Sequence, residues 1–391
     1  MKLSPKRRVT LASAALALVG GLLPGTLSSA TAGPVVPGVG GLTSSNVEYV
    51  GLVPFEVGTA TGANIFTRDG KDYMVVTSWK SFSIYDISDP VSPTLVGTPV
   101  PFGFKFENED VATNGRIMIF SEELPGDVLH VWDIQSLDNP VEIAAADGLG
   151  GHTASCILDC KYVLSSDGHI IDLRRPDQPK EIGDWRTDLP GKSAHDVSEV
   201  APGLVLTSTR PTMLLDFRKN PAKPKLLAVG DEEEFVHSNK WPRQAKDRWA
   251  LVGGETVLTG AQFCTEDSAT FNVVDTRNWQ KTKKFTTVDR FEYKNGAFVD
   301  GNPPVGAFGC TPHWFEAHPT WKDGGVVALG GYEAGTKFLT VAKNTGKIKE
   351  VGWFVPFAGA TSAAYWRTNE IVYNIDYQRG IDILRYTGPL G

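Results

Sequence analysis

No apolar run beyond residue 32 is long enough to cross a bilayer, which excludes a helical span in the body of the chain. Basic residues are outnumbered, 38 Lys and Arg against 45 Asp and Glu, which argues against nucleic acid and anionic membrane surfaces as partners. The sequence has no phosphate-cradling Gly motif, no G-x-S-x-G elbow and no C-x-x-C. P-loop, nucleophile-elbow and thioredoxin-like chemistries are therefore set aside. Four cysteines are too few for a disulfide-dense scaffold. Long helical periodicity is missing too: Val, Ile, Thr and aromatics dominate the periodic runs, and Gly and Pro punctuate them every few residues.

What is present is a repeat. Phe82 to Val100 reads as a strand ending in Tyr85-Asp86-Ile87, a Ser-Asp-Pro turn and a second strand. Asp86 and Asp89 can accept turn amides, while Pro90 and Pro93 fix φ. The phrase returns at 128–144, 169–185 and 212–230, and faintly at 270–285. Repeats at this spacing predict an all-β, seven-bladed β-propeller of four-stranded antiparallel blades. Inner strands are expected to start near Gly62, Glu109, His152, His195, His237, His318 and Ser362. NVEYVGLVPF (46–55) looks like the last strand of a repeat, and EIVYNIDYQRGIDILRY (370–386) lacks one. The N-terminal strand should thus close the ring by completing the C-terminal blade. An eight-bladed count, with the long step from His237 to His318 read as a degenerate blade, lacks the phrase there.

With its Val-Asp and Tyr-Asp-Ile-Ser-Asp-Pro forms, the unit phrase resembles the LVIVD-repeat family, secreted β-propeller proteins. The resemblance implies fold and extracellular location; it brings no activity and no catalytic residues.

Residues 1–32 read as an export signal: Lys2, Lys6, Arg7 and Arg8, an apolar run from Leu11 to Leu23, then Ala30-Thr31-Ala32. Arg7-Arg8 leaves the general and twin-arginine routes both open. Cleavage would remove four of the 38 basic and none of the 45 acidic residues, taking the net charge from −7 to −11. Residues 33–45 should be a flexible lead-in and 46–391 one propeller domain, a secreted monomer either free or associated with the cell wall. In an oxidising compartment Cys156 would pair with Cys160 and Cys264 with Cys310, the second pair bracketing an insertion at about 260–310 that would lie over one face as a lid.

Five of the seven histidines, His152, His195, His237, His313 and His318, fall at or just before expected inner-strand starts. Such positions ring the central channel at one face. His152, His195, His237 and His318 are accordingly candidate ligands of one transition metal, Cu, Fe or Zn, because imidazole suits these ions. Glu109 and His313 are the candidate acid/base residues. Glu122, Glu123, Asp167, Glu255, Glu333 and Asp376, in loops opening on the same face, could orient the imidazoles. His130 and His169 belong to third strands and read as structural. Two functions fit: a metal-dependent enzyme, as an oxidoreductase or a lyase/hydrolase, acting on a small molecule at the channel mouth, or a non-catalytic extracellular binding module for a glycan, peptide or protein.

Overall fold

The computed structural model describes residues 40–54, 60–106, 109–187, 189, 194–232, 234–255, 269–293 and 309–391. The expected signal at 1–32 lies outside them. Seven antiparallel sheets succeed one another along the chain, and each is a blade. The innermost strands are Ala60–Arg68, Ala112–Thr113, Ala154–Ile157, Ala194–Ala201, Val236–Lys240, Phe315–Ala317 and Thr361–Trp366 for blades 1 to 7. Blade 7 has only three strands of its own, and Val47–Pro54 completes it by pairing with Gly380–Tyr386. The first strand thereby closes the ring.

Why these residues make blades is visible strand by strand. Second and third strands are buried on both faces and read as near-continuous apolar runs, as in Ile117–Glu122 and Gly325–Gly330. Fourth strands, such as Val141–Asp147, alternate into solvent. A register shift interrupts the pairing of third and fourth strands in every blade, adding local twist near the sheet edge. Between blades the sheets pack through aromatic and aliphatic rows; Phe82, Phe120 and Trp132 fill the space between blades 1 and 2.

The repeated Asp of the phrase ends the third strand and turns the chain. Asp86, Asp133, Asp172, Asp216 and Asp275 each accept the amide two residues on, at 2.8 to 3.0 Å, in blades 1 to 5. Blade 6 lacks the Asp and uses Ala342-Lys343-Asn344-Thr345-Gly346, with Gly346 at φ 72°.

Two expectations need adjusting. Gly41–Thr43, placed in a flexible lead-in, pairs with Phe354, Val355 and Pro356 as a fifth strand at the edge of blade 6. In blade 6 the inner strand starts at Phe315 rather than near His318, a slip of register. The extra chain of blade 5 is shared between two connections, 255–270 and 292–314, most of which lies outside the described residues. Cys156 and Cys160 are bonded, with Cα atoms 4.5 Å apart. Cys310 is also in a disulfide, and its expected partner Cys264 lies outside the described residues. Among the described residues no helix is long and apolar enough to cross a membrane.

Candidate metal centre

In each blade the inner strand begins at the same rim of the channel, so the residues just before or at its start converge. Hydroxyl groups tie neighbouring blades together there: Thr153 donates to the carbonyl of His195, and Ser238 to that of His313 at 2.6 Å. These bonds set the spacing of the imidazoles that project from the same positions.

One carboxylate stands among four imidazoles. Glu109 Oε1 lies 3.2 Å from His152 Nε2, 3.0 Å from His195 Nε2 and 3.5 Å from His237 Nε2. Its Oε2 lies 2.8 Å from His313 Nε2 and accepts from Tyr377 Oη at 3.2 Å and Trp314 Nε1 at 3.4 Å. The rings form an arc, with centroids 4.4, 3.7 and 4.0 Å apart from His152 through His195 and His237 to His313. Donor atoms of Glu109, His152 and His195, of Glu109, His237 and His313, and of His195, His237 and Glu255 each lie within 4.8 Å of one another. Ligands about 2.1 Å from a shared ion stand about 3 to 4 Å apart; Glu109 stands at about such distances from all four imidazoles, while no one of these groups contains all four.

Outer nitrogens define the tautomers. His313 Nδ1 lies 2.6 Å from the Ser362 carbonyl and must donate to it, which leaves Nε2, 2.8 Å from Glu109 Oε2, as the nitrogen turned to the cluster. His152 Nδ1 donates to Glu123 Oε2 at 2.8 Å, an imidazole held by a carboxylate as metal-binding histidines commonly are. Among the described residues, His195 Nδ1 and both nitrogens of His237 have no hydrogen-bond partner. Buried polar atoms left so are costly and uncommon. Burial, then the neighbouring His195 and His313, hold the His237 pKa well below its ordinary value, so its ring is neutral and able to ligate. Burial works against the Glu109 charge, yet His313 and His195, with bonds from His152 and His195, hold its carboxyl well below the usual range.

The two blades that supply neither a histidine nor the carboxylate serve the same cluster. At Gly62, in blade 1, a Cβ would stand 1.9 Å from the Glu109 carbonyl oxygen, so only glycine lets that backbone approach. Ser362, in blade 7, supplies the carbonyl that orients His313 and bonds the carbonyl of Thr61 through Oγ at 2.7 Å.

His318 does not join the others. It follows the inner strand of blade 6, where Nε2 contacts the Asn369 carbonyl at 2.9 Å and Nδ1 the Thr320 hydroxyl at 2.7 Å. His313 occupies the position expected for it. Of the predicted orienting carboxylates, Glu123 holds His152, and Glu255 accepts from the Tyr332 hydroxyl at 2.8 Å beside His195 and His237. Glu122 instead bonds His130 and Lys105, and Asp376 caps the amides of Gln378 and Arg379. His130 and His169, read as structural, bond Glu142 and Glu181 on the outer strands. Access is one-sided: the side chains of His152 and Glu123 are 29% and 32% exposed, whereas those of His237 and His313 are fully buried.

No family model matches the chain, so the resemblance of its unit phrase to the LVIVD repeat is not confirmed, and no curated protein matches it either. Among solved structures it is similar to one described as YCF48 bound to D1 peptide, at 10% identity and a TM-score of 0.51, covering 91% of this chain and 98% of that one. At that identity the likeness is one of fold.

Proposed function

We propose that this chain is a secreted metal-dependent enzyme whose single transition-metal ion, Cu, Fe or Zn, is held by His152, His195, His237 and His313 with Glu109. The observation that carries this reading is the convergence of four Nε2 atoms on one buried carboxylate, with two outer nitrogens already held by Glu123 and Ser362 and with His237 lacking any hydrogen bond. An ion would take the Nε2 atom of each ring and draw on a donor set suited to the borderline metals.

Glu109, first expected as acid/base, becomes a ligand in this reading, and His313 with it. The acid/base role passes to Glu255, whose carboxylate approaches His195 and His237 without being enclosed by them. Substrate and water reach the centre from the His152 and Glu123 side. The metal supplies redox chemistry or Lewis acidity there.

A second reading, a non-catalytic binding module, rests on a different observation. Phe104 and Leu124 are 52% and 50% exposed, and Trp79 stands 6.1 Å from the Phe104 ring, forming an apolar rim beside Glu123. The similar propeller in the peptide complex gives that reading a parallel in fold.

Elemental analysis of the protein, purified from its exporting host without a His tag or chelator, separates the two. About one equivalent of Cu, Fe or Zn, lost in a His195→Ala/His237→Ala variant, supports the metal centre. No bound metal, with none taken up on titration, overturns it and leaves the binding module.

A further inference from the structure

Below the metal-site residues, further along the inner strands, the channel holds a cavity of about 220 Å³. Trp314 separates the two: its indole donates to Glu109 above and lines the cavity below. The cavity is larger than the roughly 150 Å³ engineered cavity that accepts benzene, so it can take a small organic molecule.

Its lining is rich in acceptors and poor in donors. Asp110 and Glu316 contribute carboxyl groups from blades 2 and 6; burial, then the neighbouring Asp196, pushes the Asp110 pKa well up, and burial raises that of Glu316. Asn239, 4% exposed, gives both amide protons to blade 4, to the Leu206 carbonyl and the Ser208 hydroxyl, and its Oδ1 has no partner among the described residues. Behind Asp110 stands a third carboxylate, Asp196, joined to it through the Ser155 hydroxyl at 2.6 and 3.3 Å. The one cation in the wall is Lys240, whose Nζ is 3.8 Å from Glu316 Oε1, beyond hydrogen-bond length, on a side chain 40% exposed. Ile65, Phe315 and Tyr365 supply apolar surface. The Tyr365 hydroxyl senses the potential of this space: burial first, then Asp110, Glu316, Glu109 and Asp196, push its pKa well up.

We propose that the lower channel binds a small primary amine, its ammonium on the Glu316 carboxylate and the open Asn239 Oδ1 and its apolar tail against Ile65 and Tyr365. An ammonium brings donors within hydrogen-bond length of acceptors that Lys240 does not reach and favours the charged form of Glu316, and aromatic faces favour a cation beside them. Lys240, loosely held at the opening, competes for Glu316. The proposal is independent of the metal centre.

The test uses full-length protein stripped with chelator, so that an amine cannot bind by ligating metal. Isothermal titration at pH 7.5 with phenethylamine is compared with 2-phenylethanol, which has the same tail and no charge. Saturable binding of the amine, at least tenfold tighter than the alcohol, is expected. Glu316→Gln keeps an acceptor for the Trp366 amide and should weaken the amine about tenfold; Lys240→Met should tighten it several-fold. No saturable binding of the amine, equal affinity for the alcohol, or unchanged affinity in both variants would overturn the proposal.

Discussion

Replacing His237 by Ala gives the sharpest test of the channel cluster, because its effect should depend on whether metal is present. In the metal-free protein the ring is fully buried and neutral, and neither nitrogen makes a hydrogen bond. Truncation leaves a small void but also removes two unsatisfied polar atoms, effects of opposite sign and each about 1 to 3 kcal/mol, so the net change should stay within about 2 kcal/mol. With metal at a thousand times its Kd, the wild type gains about 4.1 kcal/mol. Unfolding entropy of about 2.1 cal/mol/K per residue over roughly 350 residues gives about 0.7 kcal/mol/K, so that gain should raise Tm by about 6 °C. The variant should lose most of this rise while its metal-free Tm moves little. Differential scanning calorimetry of both proteins, with and without Zn²⁺, reads all four values. An equal metal-induced rise in the variant, or none in the wild type, would refute the reasoning.

Glu123→Gln replaces the carboxylate that holds His152 Nδ1 and should weaken metal binding about 10- to 100-fold, with little change in the metal-free Tm; competition against a chromophoric chelator measures it. Gly62→Ala should cost about 1 to 3 kcal/mol and displace Glu109, because its Cβ would meet the Glu109 carbonyl at 1.9 Å; urea unfolding and metal stoichiometry should fall together. Burial pushes Asp376 up to about 7, against 3.8 for the free side chain. A raised carboxyl pKa means that the folded state keeps its proton longer, so this group's penalty is absent below about pH 4, grows as pH rises, and is complete above pH 7. The full penalty is about 4 kcal/mol. Urea titrations between pH 4.5 and 7.5 should show a shallower decline for Asp376→Asn, and parallel curves for the two proteins would exclude it.

Much of the fold was legible because its signals are local. In blades 1 to 5 the Asp at the end of the third strand accepts an amide two residues on, and that local role imprinted the phrase. Ring closure was legible from two incomplete fragments whose strand patterns complement each other. Blade 6 misled because Pro312-His313-Trp314-Phe315-Glu316-Ala317-His318 has a histidine at each end of a three-residue inner strand. Spacing does not separate them sharply: Glu109, His152, His195 and His237 precede the second strands of their blades by eight, ten, nine and twelve residues, so the twelve of His313 falls in that range and the seven of His318 only one short of it. The central place of Glu109 was not legible, because it depends on an approach of blade 1 to blade 2 that only Gly62 permits, and a lone glycine in so Gly-rich a chain carries no such message.

The seven equivalent positions also argue against a ring of histidines kept as inert filling. Inherited filler would be expected to make similar local contacts in each blade. Instead the positions have divided the work: one carboxylate in the middle, four imidazoles around it, a glycine that admits the carboxylate's backbone and a serine whose carbonyl turns His313. His318, which lies off this ring, has both nitrogens satisfied by its own surroundings, as a structural histidine should. His237, on the ring, has neither. The blade-to-blade contacts that build the propeller therefore bring several imidazole nitrogens together around one carboxylate, and an ion bound there would take one nitrogen from each ring.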